Sequence, residues 1–246
     1  MNMKVIILAG GLGTRISEYT KTIPKPMVKV AGYPIIIHIM KHYVLFGFTK
    51  FYIASGYKGY VIKRYFKNFK RNGKVFKHKI FNKLCDVSII DTGLKTLTGG
   101  RLKRLENYVN DNENFFFTYG DGISSVNLKK LLSHHKKMKK KITVTAVRPP
   151  ARFGELKLKN NKVISFKEKP QINQGWINGG FFVAQKNFFK LIKNDFDILE
   201  KKPLESASKQ GELNAFKHYG FWKCMDTIRD KQVIEEELKK KKKKIL

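Results

Sequence analysis

Lys4-Val5-Ile6-Ile7-Leu8-Ala9-Gly10-Gly11-Leu12-Gly13-Thr14-Arg15 sets an unbroken apolar run against a turn rich in glycine. A run of strand length with no polar face reads as a buried strand, and the glycines end it. In an open α/β sheet, ligands settle beyond the carboxyl ends of such strands. Small residues there let backbone N–H groups come close to a polyphosphate, and Arg15 adds a planar fork of donors matched to phosphate oxygens. Leu8, Ala9, Gly10, Gly11, Leu12, Gly13, Thr14 and Arg15 are therefore candidate nucleotide-binding residues. For the glycines alone a tight strand-to-helix turn is the better reading; Arg15 and the nearby Lys25 reverse that order. Two familiar phosphate motifs do not fit. A dinucleotide fingerprint needs a third glycine where Ile16 stands, and no Gly-Lys-Ser/Thr ending marks a P-loop.

Lys25 lies between Pro24 and Pro26, whose fixed φ angles stiffen the chain and favour an extended course for the residue before each ring. A stiff frame can aim a charge, although a surface lysine in a proline loop has the same local sequence. Further along, residues 35–46 carry apolar side chains at helical spacing, and residues 50–54 read as the next strand, completing a βαβ unit. Helices are expected at 58–69, 101–108 and 128–138, and strands at 87–91 and 115–119. The pattern then changes to short strands at 142–147, 154–157, 163–166, 179–184 and 213–218, with a closing helix at 228–243. The expected fold is α/β: a Rossmann-like, mostly parallel mixed sheet flanked by helices, with a smaller α+β part. One domain over residues 1–246 is expected, its first half (1–125) mainly holding nucleotide and its second (126–246) mainly holding sugar and subunit contacts.

The formal net charge of +32 comes from 51 Lys and Arg against 19 Asp and Glu. Such an excess can mark a nucleic-acid binder. Here it is mostly lysine, concentrated at Lys136, Lys137, Lys139, Lys140, Lys141 and in residues 239–244, with no aromatic RNA-binding signature. Solvated lysine faces explain it, so no nucleic-acid partner is expected; the field still steers polyanionic substrates. The apolar run at residues 5–9 is too short for a membrane span or a signal-peptide core, so no membrane partner and a cytoplasmic location are expected. Cys85 and Cys224 are far apart and read as ordinary thiols.

Among so few acids, those at strand ends beside glycine are informative. Asp121 sits between Gly120 and Gly122 after the apolar Phe115-Phe116-Phe117-Thr118-Tyr119, where its carboxylate emerges beside the first loop. Asp226 follows the aromatic-rich Phe221-Trp222-Lys223-Cys224-Met225. Capping the helix that begins near Ile228 is an alternative use for it. Magnesium takes one or two protein carboxylates and completes its shell with water and phosphate oxygens, so the pair suits that ion.

The segment at residues 8–15, followed by Pro24-Lys25-Pro26-Met27, resembles the signature of the sugar-nucleotide pyrophosphorylases. The resemblance implies a nucleotidyltransferase in which Arg15 and Lys25 stabilise the phosphates under attack and the departing pyrophosphate. It implies Asp121 and Asp226 as ligands of Mg2+, with Gly120 beside the nucleotide. Phe166-Lys167-Glu168-Lys169-Pro170 is similar to the family's Glu-Lys-Pro element, which gives Glu168 the sugar hydroxyls and Lys169 the sugar phosphate. Asn178 and Gly179 allow close approach of a pyranose, and Trp222 offers a ring to stack on or to pack in the core. Residues 98–104, 117–122, 148–154 and 176–182 are similar to the members that act on CTP and glucose 1-phosphate, where positions matching Thr96 and Arg101 help hold the nucleotide. That subgroup implies a homo-oligomer, a hexamer, and a product destined for cell-surface polysaccharide. Thymidylyl or uridylyl transfer, and a non-catalytic sugar-nucleotide-binding role, are the competing readings.

Overall fold

The computed structural model describes residues 3–67, 71–72, 75–80, 82–148, 155–167 and 175–243. Lys4–Ala9 is the central strand of a ten-stranded sheet, parallel to Lys50–Ser55 on one side and to Asn114–Tyr119 on the other. Lys83–Asp91 extends the parallel centre beyond Lys50–Ser55, and Val75–Ile80 adds antiparallel to it. On the opposite flank Phe182–Gln185 runs antiparallel to Asn114–Tyr119 and leads to Ile142–Val147, which pairs with Ile177–Asn178 and Leu213–His218. The expected mixed sheet is thus parallel at its centre and takes antiparallel strands toward its flanks, where Leu213–His218 again runs parallel to Ile142–Val147.

Both faces are covered, as an all-apolar central strand requires. Val5 and Ile7 face the helices Ile35–Leu45, Gly59–Lys67 and Leu128–Met138, while Ile6 and Leu8 face Leu102, Phe188 and Phe189 on the other side. Phe115 and Phe117 belong to the second layer and Phe116 to the first, all fully buried. Each such phenylalanine contributes roughly 2 kcal/mol by leaving water, so the strand that carries Asp121 is among the most firmly seated in the molecule.

Several expected boundaries change. The expected helix at 101–108 is Thr98–Lys103 followed by a separate 3-10 turn, Glu106–Tyr108. The strand expected at 179–184 breaks into Ile177–Asn178 and Phe182–Gln185, because Gly180 and Phe181 both take positive φ and leave the extended region. Lys25 is not extended. Lys25–Met27 form a 3-10 turn closed by Met27 N–H to Pro24 O at 2.8 Å and Val28 N–H to Lys25 O at 3.1 Å, which outweighs the preference imposed by Pro26. Lys202–Lys209 is a helix that the apolar pattern did not announce. Among the described residues no helix is long and apolar enough to cross a membrane.

Candidate active site

Beyond the carboxyl ends of Lys4–Ala9 and Asn114–Tyr119 lies an open cavity of about 830 Å³. Residues 8–15, Lys25, Thr96, Arg101, Gly120, Asp121 and Asp226 all line it. The loop is shaped by two glycines for different reasons. Gly13 has φ +68° and starts the 3-10 turn Thr14–Ile16, a conformation that costs other residues about 1 kcal/mol or more. At Gly10 a Cβ would overlap the Arg101 guanidinium, and at Gly56 the same group stands in the way. Arg101 cannot step aside easily: its Nη1 donates to Thr92 Oγ1 at 2.8 Å and Gly93 O at 2.7 Å, and its Nη2 to Leu94 O at 3.2 Å. Burial lowers its pKa, and these acceptors keep the buried guanidinium satisfied. Gly11 differs from both. Among the described residues, chain neighbours aside, nothing lies within 4 Å of where its Cβ would be, so none of them demands a glycine there.

Lys25 is 8% exposed and its Nζ lies 2.7 Å from Asp121 Oδ2 and 2.7 Å from Asp226 Oδ1. An ammonium taken out of water without partners is costly by several kcal/mol. Burial by itself would lower the Lys25 pKa, yet the charge and hydrogen bonds of Asp121, joined by Asp226, outweigh it and hold it well above the ordinary lysine range. Burial likewise works against ionised Asp226, and Lys25 together with Arg15 reverses that and lowers its pKa. Arg15 approaches from solvent, with a side chain 77% exposed and Nη1 3.2 Å from Asp226 Oδ2.

A two-stranded ribbon brings together carboxylates that lie far apart in sequence. Trp222–Cys224 pairs antiparallel with Gly122–Ser124, setting Cys224 opposite Gly122, and Met225 N–H donates to Asp121 O at 2.9 Å. Asp226 is not a helix cap. Thr227 and Asp230 cap the helix Ile228–Lys243 reciprocally, Thr227 Oγ1 accepting from Asp230 N–H while Asp230 Oδ2 accepts from the Asp226 and Thr227 N–H groups. The Asp226 carboxylate is thereby left for the cavity. Cys224 Sγ and one oxygen each of Asp121 and Asp226 lie within 4.8 Å of one another, and burial, then Asp121, raises the pKa of the thiol. Two converging carboxylates already pairing one ammonium have the donor chemistry of a divalent-cation site, which Asp121 and Asp226 could hold.

The other residues expected from the sequence stand at the cavity's edge or outside view. Asn178 Nδ2 donates to the hydroxyl of Tyr119, a cavity residue, at 3.2 Å, and Asn178 Oδ1 accepts from Gly180 N–H. Gly179 N–H is tied to Thr145 O, and its carbonyl accepts from Trp222 Nε1 at 2.7 Å. Trp222 lies half-buried against the core and does not line the cavity. Glu168 and Lys169 fall outside the described residues. Sequence reasoning missed Tyr119 and Thr98, which line the cavity, and Glu200, whose carboxylate accepts from the Tyr119 hydroxyl and from Thr98 Oγ1. Burial and the nearby Glu200 charge raise the Tyr119 pKa, so this phenol stays a donor. Tyr119 had a signal in its place at the end of the buried strand and Thr98 in the family-like segment 98–104, whereas Glu200 comes from a distant turn with no motif.

A glucose-1-phosphate cytidylyltransferase of Salmonella typhimurium is 49% identical over 243 residues, covering 95% of each chain. A D-glycero-alpha-D-manno-heptose 1-phosphate guanylyltransferase of Aneurinibacillus thermoaerophilus is 29% identical over 89% of each. Among solved structures, HddC from Yersinia pseudotuberculosis superposes with a TM-score of 0.73 at 24% identity, covering 96% of this chain and 99% of that one, a likeness of fold. The profile described as nucleotidyl transferase matches residues 4–219, and with these relatives it places the chain in the nucleotidyl transferase family.

Proposed function

We propose that this protein transfers CMP from CTP to glucose 1-phosphate, forming CDP-glucose and releasing pyrophosphate. The observation that carries the reading is the Lys25 ammonium held 2.7 Å from both Asp121 and Asp226 in a cavity walled by the glycine-rich loop. The identity of the Salmonella relative supports the choice of cytosine and glucose.

A sugar 1-phosphate has a second pKa near 6 and is largely a dianion at neutral pH, so it needs no general base. One of its oxygens forms the new bond to the α-phosphorus of CTP, and the bond from that phosphorus to the oxygen bridging toward the β-phosphate breaks, its electron pair leaving with pyrophosphate. Negative charge builds on the bridging and leaving oxygens, and the task of the protein is to have positive charge in place beforehand. Lys25 provides a charge whose position is fixed by two carboxylates and whose protonation is secured by them. Arg15, exposed and held by a single contact, supplies a mobile fork for the outer phosphates. A divalent cation held by Asp121 and Asp226, magnesium in this reading, adds charge neutralisation at the reacting phosphates when bound. Gly11 leaves the space where a Cβ would stand open to a phosphate. Thr96 and Arg101 form the wall on the base side, Arg101 by holding residues 92–94 in shape. Asn178 and Gly179, with Glu168, Lys169 and Trp222, belong to the sugar side, so residues 1–125 mainly serve the nucleotide and 126–246 mainly the sugar. Assembly as a homo-oligomer, a hexamer in the subgroup it resembles, completes the reading.

Magnesium and glucose 1-phosphate, offered with each nucleoside triphosphate in turn, test it through pyrophosphate release. Release with CTP alone is expected. Release with UTP or dTTP instead would overturn the base assignment, and silence with every triphosphate would overturn the enzymatic reading.

A further inference from the structure

Cys224 is not needed for the chemistry just described, yet its sulfur stands beside both carboxylates. Its Sγ and a carboxylate oxygen from each of Asp121 and Asp226 lie within 4.8 Å of one another. The ribbon ladder fixes its place: Cys224 is opposite Gly122, one residue beyond Asp121, and the Met225 N–H to Asp121 O bond locks the register between the two acids. Gly122 presents no side chain, and among the described residues, chain neighbours aside, nothing lies within 4 Å of where its Cβ would stand. The cluster therefore combines one sulfur and two oxygens on rigid backbone, and its two carboxylates line the cavity, from which outside ligands reach the remaining positions.

We propose that Cys224 is a third donor that makes the Asp121–Asp226 site bind thiophilic divalent cations, zinc and cadmium, in preference to ions that take oxygen alone. The proposal rests on the reading of those two carboxylates as the cation site. Magnesium is indifferent to a thiol and is served by one or two carboxylates with water and phosphate. Zinc accepts thiolate sulfur at about 2.3 Å and carboxylate oxygen at about 2.0–2.2 Å in a tetrahedron, whose edges are then roughly 3.3–3.8 Å. Three protein donors within 4.8 Å of one another meet that requirement with small side-chain adjustments. The Lys25 ammonium between the carboxylates shows that a cation is already favoured there. On ligation the S–H bond breaks as the sulfur–metal bond forms, and the proton passes to solvent. A thiophilic ion so held occupies the place of the working cation, which makes the enzyme inhibitable by zinc or cadmium in competition with magnesium.

The test is a cadmium titration of the full chain, followed by the ultraviolet charge-transfer absorption that a cadmium–thiolate bond gives. A saturable band with one thiolate per chain is expected. Cys224→Ser should abolish the band and weaken cadmium binding, measured by competition with a chromophoric chelator, by more than about tenfold, the least expected when even an outer-shell partner of a metal is lost. Cys224→Ala serves as a second variant, and thermal melts confirm that both are folded. Absence of the band in the wild type, or its survival in both variants through Cys85, would overturn the proposal. Pyrophosphate release without a thiolate band would sink this inference alone; a band without pyrophosphate release from any triphosphate would uphold it and sink the reading of function.

Discussion

On one side of the cavity Lys25 is clamped between two carboxylates, 2.7 Å from each, with Arg15 reaching in from solvent. On the other, Asn178, Tyr119, Glu200 and Thr98 form a chain of hydrogen bonds in which Glu200 is the sole charged member. The charged side compensates itself in the absence of any ligand: what an incoming triphosphate and cation would exchange is one set of charge partners for another. The hydroxyl side spends its donors on protein acceptors, and in the proposed reading a sugar would compete with bonds worth about 1 kcal/mol apiece. On the proposed function, fixed charge would then govern rate on the first side, and exchangeable hydrogen bonds affinity on the second.

The sharpest way to break that contrast is Asp121→Asn, which keeps the shape and removes the charge. Turnover should fall by about 10²–10³-fold, far more than stability falls, because Asp226 still pairs the Lys25 ammonium at 2.7 Å; near-normal turnover at saturating magnesium would remove Asp121 from the chemistry. Next in size is the response to acid. His135 is buried, with Nδ1 2.8 Å from Thr143 Oγ1, and seats the helix Leu128–Met138 on Ile142–Val147, the strand that carries Ile177–Asn178. Burial and the adjacent His134 push its pKa down to about 4 from 6.5. The unfolded chain therefore binds more protons between these values, and the stability present above about pH 6.5 is lost as pH falls toward 4, by about 3 kcal/mol. Melting curves over that window should slope more steeply for wild type than for His135→Gln; parallel slopes would exclude His135 as the cause.

Within the loop itself, Gly13→Ala should destabilise by about 1–2 kcal/mol, since its φ of +68° is unfavourable for alanine, whereas Gly11→Ala should leave the melting temperature unchanged and weaken triphosphate binding. Equal melts for the two variants would contradict the division of roles between these glycines. The smallest effect is expected at Tyr119→Phe, which removes the hydroxyl bonded to Asn178 and Glu200. KM for glucose 1-phosphate should change by roughly threefold to tenfold with kcat little altered, and a fall confined to kcat would move Tyr119 to the charged side.

The charged side was the more legible in the sequence, and the reason is local. A pure apolar run stopped by glycine leaves one interpretation for Lys4–Ala9, and the closing helix Ile228–Lys243 begins where Thr227 and Asp230 satisfy its first N–H groups. The meeting of Asp121 with Asp226 was legible only through family resemblance, because the three-residue strands that cause it are too short to show a period. For the same reason Cys224 read as an ordinary thiol. Lys25 was placed correctly as a charge and wrongly as an extended residue, since two turn hydrogen bonds prevail over the proline rule. Glu200 carried no signal at all; its role is set by Tyr119 and Thr98, which meet it only in three dimensions.

The Arg101 guanidinium, wedged beneath Gly10 and beside Gly56, makes three positions one mutational unit. Alanine at Gly10 is tolerable only after the arginine has been shortened, and a shortened arginine leaves the carbonyls of Gly93 and Leu94 without their donor. Single steps away from this arrangement all lead downhill, so the trio should exchange as a set or not at all, and its members should show strong non-additivity in double-mutant cycles.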